Sequence, residues 1–230
     1  KNVSILNNQT EIGVVKNFKI FIHTNRFFAI NQVMIKDLVL KKADFYIKKK
    51  DINFFKKVLV SQNGNYGLKV YNSNIFYKNK NDEILFIKKV INSNFYYDIK
   101  KLENILISKN KIFNVPYKLK LNLNKFNKQV SINFSSKKMR LNVENKIDYN
   151  NEILDGLLEI LLINKNILLD YQINKNTLVF SSTDDQNSFE GHIDLKPFYL
   201  TANLNYDRIN TKSIFRENSI IVDLIKSEIF

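Results

Sequence analysis

The sequence predicts a mostly β fold: an antiparallel meander that forms a curved, groove-like or sandwich-like sheet and carries one short amphipathic helix. The first reason is that apolar and polar residues alternate along many short segments, which is typical of strands with one buried face. The second is that the connections are short and polar, and such connections join antiparallel neighbours, whereas parallel neighbours need long crossovers. The third is turn chemistry, because the chain has 5 Gly and 2 Pro but about 35 Asn, which tolerates the left-handed backbone of tight turns.

Short alternating runs begin near residue 18. Apolar residues occupy every second position in four of them: Phe18, Ile20 and Ile22; then Val33 and Ile35; then Leu38 and Leu40; then Ala43, Phe45 and Ile47. A period of two predicts half-buried strands, so we expect one strand for each run.

The segment Asp51–Val60 breaks this alternation. Ile52, Phe55 and Leu59 are spaced to lie on one face of a helix, and Asp51 is a residue type that caps the amino end of a helix. We therefore predict one short amphipathic helix here.

A hairpin follows the helix. Tyr71–Tyr77 and Ile84–Val90 alternate across the polar turn 78–82, and Phe95–Tyr97 is expected to begin another strand. Residues 98–112 fit a helix or a strand imperfectly. We place a soft boundary here, between a strand-rich portion with the helix (1–100) and an antiparallel meander (101–230). Both are expected to form one continuous domain within a longer chain.

Alternation is clearest from Val115 onward, where it predicts a sheet with one polar and one apolar face. Burial of apolar surface is worth roughly 25 cal/mol per Å², so the apolar face must be covered by a second sheet, by a helix, by closure of the sheet into a barrel, or by something that is not protein. Acyl chains are one such cover. The candidates for lipid contact, or alternatively for core packing, are Leu119, Leu121, Leu123, Ile132, Phe134, Leu141, Val143, Leu178 and Phe180.

The formal net charge of +14 raises the question of a nucleic-acid partner. Arg is the residue favoured for bidentate phosphate and base contacts, but here it occurs only at Arg26, Arg140, Arg208 and Arg216. Lys residues are spread along the whole chain, and joint enrichment in Lys, Asn, Ile and Phe is typical of an AT-rich genome. We therefore predict no nucleic-acid partner. A positive field also favours proximity to anionic lipid head groups.

Motifs for catalysis or metal binding are missing from the sequence. There is no cysteine, and the two histidines, His23 and His192, are far apart in the chain. No Gly-x-Ser-x-Gly elbow, P-loop or EF-hand loop occurs. We predict no catalytic residues, no metal site and no cofactor, and so a protein that is not an enzyme.

The order of motifs in residues 18–100 resembles that of the AsmA-like proteins of Gram-negative cell envelopes, the group related to TamB and YhdP. Ile35–Ile47 is similar to the family's strand, short turn and strand, and the predicted helix stands where the family often places one. Leu68–Tyr77 with the following turn and strand looks like its hairpin. Later strands of the family are similar to Phe113–Leu119 and Phe189–Phe198. Lys42 and Asn114 stand where the family tends to use glycine.

The resemblance implies an envelope protein that is anchored in the inner membrane by an amino-terminal helix outside this segment. Its sheet would curl into a groove whose inside holds the acyl chains of phospholipid or another acyl-chain lipid, while the outside faces the periplasm. Outer-membrane biogenesis, envelope protein partners and the absence of catalytic residues are implied as well. The alternative is a structural or interaction β-sandwich module without a lipid ligand.

Overall fold

The computed structural model describes residues 2–23, 34–60, 66–163, 165–182 and 187–206. Its strands form one 14-stranded sheet that is not closed, and they follow one another across the sheet in chain order. The mostly β prediction is confirmed. The bounds of the strands are β1 Val3–Asn7, β2 Thr10–Ile22, β3 Ile35–Ile47, β4 Gly67–Lys78, β5 Ile84–Asp98, β6 Glu103–Ile112, β7 Val115–Asn124, β8 Gln129–Ser136, β9 Leu141–Asp148, β10 Leu154–Leu162, β11 Lys165–Asn174, β12 Thr177–Ser182, β13 Asn187–Leu195 and β14 Phe198–Tyr206.

Neighbouring strands pair antiparallel, as predicted, at every position except one. β3 and β4 are parallel, with Leu38 opposite Leu68 and Phe45 opposite Ile75. The connection between them contains a 3-10 turn at Lys49–Asp51 and the helix α1 at Ile52–Val60. Parallel neighbours need a long crossover connection. The predicted helix belongs to this crossover, which lets the consecutive strands β3 and β4 run in the same direction.

The four runs predicted near residues 18–47 fall, as far as the structure describes them, in two long strands, β2 and β3; Val33 lies outside the described residues. Leu40 and Ala43 lie in β3 and pack in one cluster. They are three positions apart, so strict alternation would place them on opposite faces of the strand. Lys42 lies between them with a φ of 54°, and Asn72 in the partner strand β4 has a φ of 47°. These left-handed residues shift the phase of alternation by one residue, which imitates a strand boundary in the sequence.

The same irregularity continues into β5, where the register shifts between Val90 and Asn92 and leaves Ile91 as the extra residue of a β-bulge. The prediction that Phe95–Tyr97 begins a new strand is therefore wrong, because these residues continue β5 beyond the bulge. The ambiguous residues 98–112 form the end of β5, a turn and β6.

Tight turns in this chain use left-handed residues other than glycine. Phe113 and Asn114, with φ of 44° and 61°, make a two-residue turn between Ile112 and Val115, and Asn8 with Gln9 makes another. Positive φ at both central residues is the geometry of a type I′ turn, whose twist matches the flanking strands. Asn thus serves as predicted at Asn8 and Asn114, but bulky Phe113 also adopts this backbone.

Helix α1 packs on the first strands of the sheet. Phe55 contacts a buried cluster of Val15, Leu40, Ala43, Phe45 and Ile47. At its carboxyl end, Asn104 Nδ2 of β6 donates a hydrogen bond of 3.0 Å to the Leu59 carbonyl. The helix therefore covers the apolar side of the sheet at this end only.

The amino end of the helix differs in detail from the prediction. Asp51 is buried in the 3-10 turn and accepts hydrogen bonds from the Lys48 backbone N–H at 3.0 Å and from Asn7 Nδ2 at 3.1 Å. It ties the crossover to β1 instead of capping α1 from outside. Ile52, predicted to lie on the buried helical face, is 52% exposed.

The strained turn gives a test of this account of the fold. Phe113→Asn should stabilise the chain by about 0.5–1 kcal/mol, because Asn tolerates the left-handed conformation better than Phe. Phe126→Asn is the matched control, since Phe126 is an exposed turn residue without a positive φ. Urea unfolding monitored by circular dichroism measures both. Equal midpoints for the two variants would show that the turn is not strained.

Candidate functional site

The pairing register sorts the strand residues onto two faces. Leu121 lies opposite Leu106 and Ile132, and the same row continues through Asn145 and Leu158. We call the side that carries this row the apolar face and the other side the polar face. Helix α1 packs on the apolar face, because the Leu59 carbonyl accepts its bond from Asn104, which lies two residues from Leu106 on β6.

All nine residues that the sequence suggested for lipid contact lie on the apolar face. They fall in rows across neighbouring strands: Leu119 lies opposite Phe134 and then Val143, and Phe180 lies opposite Tyr171. Leu123 and Phe180 are buried, and the others are half-buried. The nine candidate residues are Leu119, Leu121, Leu123, Ile132, Phe134, Leu141, Val143, Leu178 and Phe180.

No described element covers the apolar face beyond β6. The extensive contacts between strands are all made between sheet neighbours, so the described strands form one layer and not two. Toward the last strands the apolar side chains become exposed, as in Phe198 at 74% and Leu200 at 52%. Leu162, Ile167 and Leu195 of the same face are exposed as well.

Glycines account for the burial of two aromatic rings in a single layer. Tyr171 and Phe180 are each only 8% exposed, although no described second layer stands over them. Each ring lies over a glycine of a neighbouring strand, Tyr171 over Gly156 and Phe180 over Gly191, where a Cβ atom would collide with it. On β7, burial and then the charge of Tyr77 raise the pKa of Tyr117 to about 12.

The polar face carries the charges of the sheet. Lys118 and Lys120 are exposed between the apolar residues of β7, and Lys69 pairs with Asp37 at 3.0 Å on β4 and β3. A shallow hollow of about 430 Å³ lies on this face and includes Lys146, Asp155 and Asp170. In the part of the chain that the structure describes, no three His, Cys, Asp or Glu side chains gather as metal ligands.

Polar residues interrupt the apolar face between β4 and β7. Lys88 of β5 lies opposite Ile75 and Ile112, and Asn110 of β6 lies opposite Val90 and Tyr117. Ser108 Oγ donates a hydrogen bond of 2.8 Å to Asn110 Oδ1. We call Lys88, Ser108, Asn110 and Tyr117 the donor cluster.

The bulge at Ile91 is the reason why sequence reasoning missed Lys88. Phe95 lies on the apolar face, and strict alternation from it would turn Lys89 inward and Lys88 outward. The extra residue reverses the phase, so Lys88 shares the face of Phe95 while Lys89 is exposed on the polar face. The signal in the sequence is the phase change itself, which also fits a boundary between two strands.

Lys88 is a costly residue at this position. Burial lowers its pKa, because the apolar surroundings disfavour the charged form. Its Nζ lies 5.9 Å from the centroid of the Tyr117 ring, and no carboxylate pairs with it among the described residues. Burial also raises the pKa of Tyr77, which stacks on Phe86 nearby.

Comparisons with known proteins assign no family. No family model matches the chain, and no curated protein matches it either. Within the described ranges, no helix is both long and apolar enough to span a membrane. The geometry of the two faces therefore carries the functional argument.

The cost of Lys88 can be measured. Lys88→Met should raise the free energy of unfolding at pH 7 by about 1 kcal/mol, because a flexible apolar side chain replaces a partly desolvated charge. The folded-state pKa is lowered from 10.5, so the penalty is full below the folded pKa and fades as pH rises toward 10.5. The gain should therefore shrink in urea unfolding at pH 10.5.

Lys89→Met provides the control for this prediction. Lys89 is the next residue along β5, is exposed and lies on the polar face. Its replacement should change the unfolding free energy by less than about 0.5 kcal/mol. If Lys88→Met were no more stable than Lys89→Met at pH 7, Lys88 would not be desolvated as described.

Proposed function

We propose that this chain is a non-catalytic, lipid-binding segment of a cell-envelope protein, whose apolar face holds and conducts the acyl chains of phospholipid or another acyl-chain lipid. The observation that carries the proposal is the apolar face of β7–β14, which no described element covers. The nine candidate residues supply this surface.

Energetics favour an apolar ligand on such a surface. Burial is worth roughly 25 cal/mol per Å², so a few hundred Å² of covered face stabilise by several kcal/mol. Acyl chains suit this surface because they are linear and can lie along a row of Leu, Ile and Phe side chains without hydrogen bonds of their own. The rows run across strands, as Leu119, Phe134 and Val143 do.

The cellular setting of the proposal follows from the resemblance to AsmA-like proteins. It would place the segment in the periplasm of a Gram-negative bacterium, anchored to the inner membrane by a part outside this segment, with a role in outer-membrane biogenesis. The one-sided sheet with a single crossover helix is compatible with that setting. The proposal involves no catalytic residue, no cofactor and no nucleic acid.

A structural or interaction module is the second candidate function. It is favoured by large apolar residues that are exposed on the polar face, namely Leu157, Leu161 and Val179. A protein partner could cover them, and then the apolar face would be covered by protein too. This candidate predicts a folded chain without bound lipid.

Lipid extraction separates the two candidates. The chain is produced in a Gram-negative host, purified without detergent and analysed by mass spectrometry for phospholipid per mole of protein. We expect lipid with the native chain and a loss of at least about tenfold in Leu121→Glu, because a carboxylate on the apolar face must be desolvated when an acyl chain covers it. Lys120→Glu, on the polar face of the same strand, should keep its lipid.

A second variant guards against unfolding of Leu121→Glu. Ile167 is 38% exposed on the apolar face, so Ile167→Glu leaves the carboxylate hydrated in the empty protein. It should stay folded by circular dichroism and still lose lipid. A native chain that is folded and free of lipid would contradict the proposed function.

A further inference from the structure

The donor cluster has hydrogen-bond donors without acceptors. Asn110 is fully buried, and Ser108 uses its Oδ1, while its Nδ2 has no partner among the residues described. Lys88 Nζ carries three further donors and has no carboxylate partner in the described part of the chain. Buried donors normally have a partner, so the described part of the chain does not explain Asn110 Nδ2, and Lys88 Nζ is the donor of the cluster that an outside acceptor can reach.

Charge on the apolar face is unbalanced around the cluster. The pairing register places no Asp or Glu on the apolar side of β4–β7, the strands that surround Lys88. Asp98 of β5 and Glu103 of β6 lie opposite each other on the polar face. A ligand that neutralises Lys88 must therefore bring its own negative charge.

Apolar surface adjoins the cluster on both sides. Tyr117 stacks on Phe134 with ring centroids 5.1 Å apart, and Leu119 and Leu121 continue the same strand. On the other side, Tyr77 stacks on Phe86 at 4.4 Å. A cationic and amide donor set that is bordered by aromatic and aliphatic side chains fits an amphipathic anion better than a small hydrophilic one.

We propose that the donor cluster binds the anionic head group of an acyl-chain lipid, with Lys88 Nζ as the donor that contacts the head group and with the chains lying on the apolar face toward β7 and β8. This inference rests on the proposed function and deepens it, because it assigns a head-group class to the lipid. Lys88 would then be retained for binding at a cost in stability, as its lowered pKa suggests.

The phase change in the first strands is what builds this site. Without the extra residue at Ile91, alternation from Phe95 would place Lys89 on the apolar face and Lys88 among the other lysines of the polar face. With it, Lys88 and Asn110 stand on neighbouring strands, offset by two residues in register, with Lys88 opposite Ile112.

The test compares two lipids that differ only in head group. Oleoyl lysophosphatidylglycerol carries one net negative charge, whereas oleoyl lysophosphatidylcholine is zwitterionic, and both are used below their critical micelle concentrations. Dissociation constants are measured by titration calorimetry on the delipidated chain, on Lys88→Met and on Lys89→Met. The chain should prefer the anionic lipid by at least about tenfold, the range of a charge-assisted hydrogen bond.

The variants then separate the possible outcomes. Lys88→Met should abolish the preference and keep its affinity for the zwitterionic lipid, while Lys89→Met should retain the preference. A preference that survives in Lys88→Met would overturn the inference. So would displacement of the lipid by an equal concentration of glycerol 3-phosphate, since the site would then be one for a free phosphate.

Failure of the inference can be told from failure of the proposed function. If both lipids bind equally and Leu121→Glu abolishes binding, the apolar face holds acyl chains but the donor cluster selects no head group. If neither lipid binds the native chain, both proposals fall. Because Lys88→Met is expected to be more stable than the native chain, lost selectivity in it cannot be ascribed to unfolding.

Discussion

The need to keep one continuous apolar face away from water is the constraint on which the rest of this structure depends. The described part of the chain meets it in two ways: helix α1 covers the first strands through Phe55, and the rings of Tyr171 and Phe180 lie over glycines of neighbouring strands. From β7 onward no described element adds a second layer. An acyl chain would complete the burial there. The free energy of burying apolar surface would then drive both folding and the proposed lipid binding.

The phase change at Lys42, Asn72 and Ile91 links the backbone to the chemistry of the face. Left-handed residues in β3 and β4 and the bulge in β5 change which side chains lie on the apolar face. The consequence is a lysine on that face, beside the buried amide of Asn110, whose own strand alternates regularly. A residue that costs stability and has no charged partner among the described residues is where a ligand contact is expected, because folding alone does not explain it.

Much of the fold could be predicted from the sequence, because polar and apolar residues alternate along a strand that has one solvent-exposed face. The meander, the hairpin around residues 78–82 and the helix came from such local patterns, and the register puts all nine candidate residues on one side. The parallel pairing of β3 with β4 could not be predicted, because it depends on which edge of β3 the chain returns to after the helix. Lys88 was missed since its orientation depends on a single extra residue, Ile91, whose effect is visible only in the paired strands.

The central claim is that acyl chains cover the apolar face, and site-specific photocrosslinking in cells tests it most directly. A benzophenone amino acid is placed at Ile132, Asn133 and Phe134 in turn, which alternate between the two faces of β8. Covalent lipid adducts are then measured by mass spectrometry. The account predicts adducts at Ile132 and Phe134 and few at Asn133. Adducts to protein at Ile132 and Phe134, or lipid adducts of equal yield at all three positions, would contradict it.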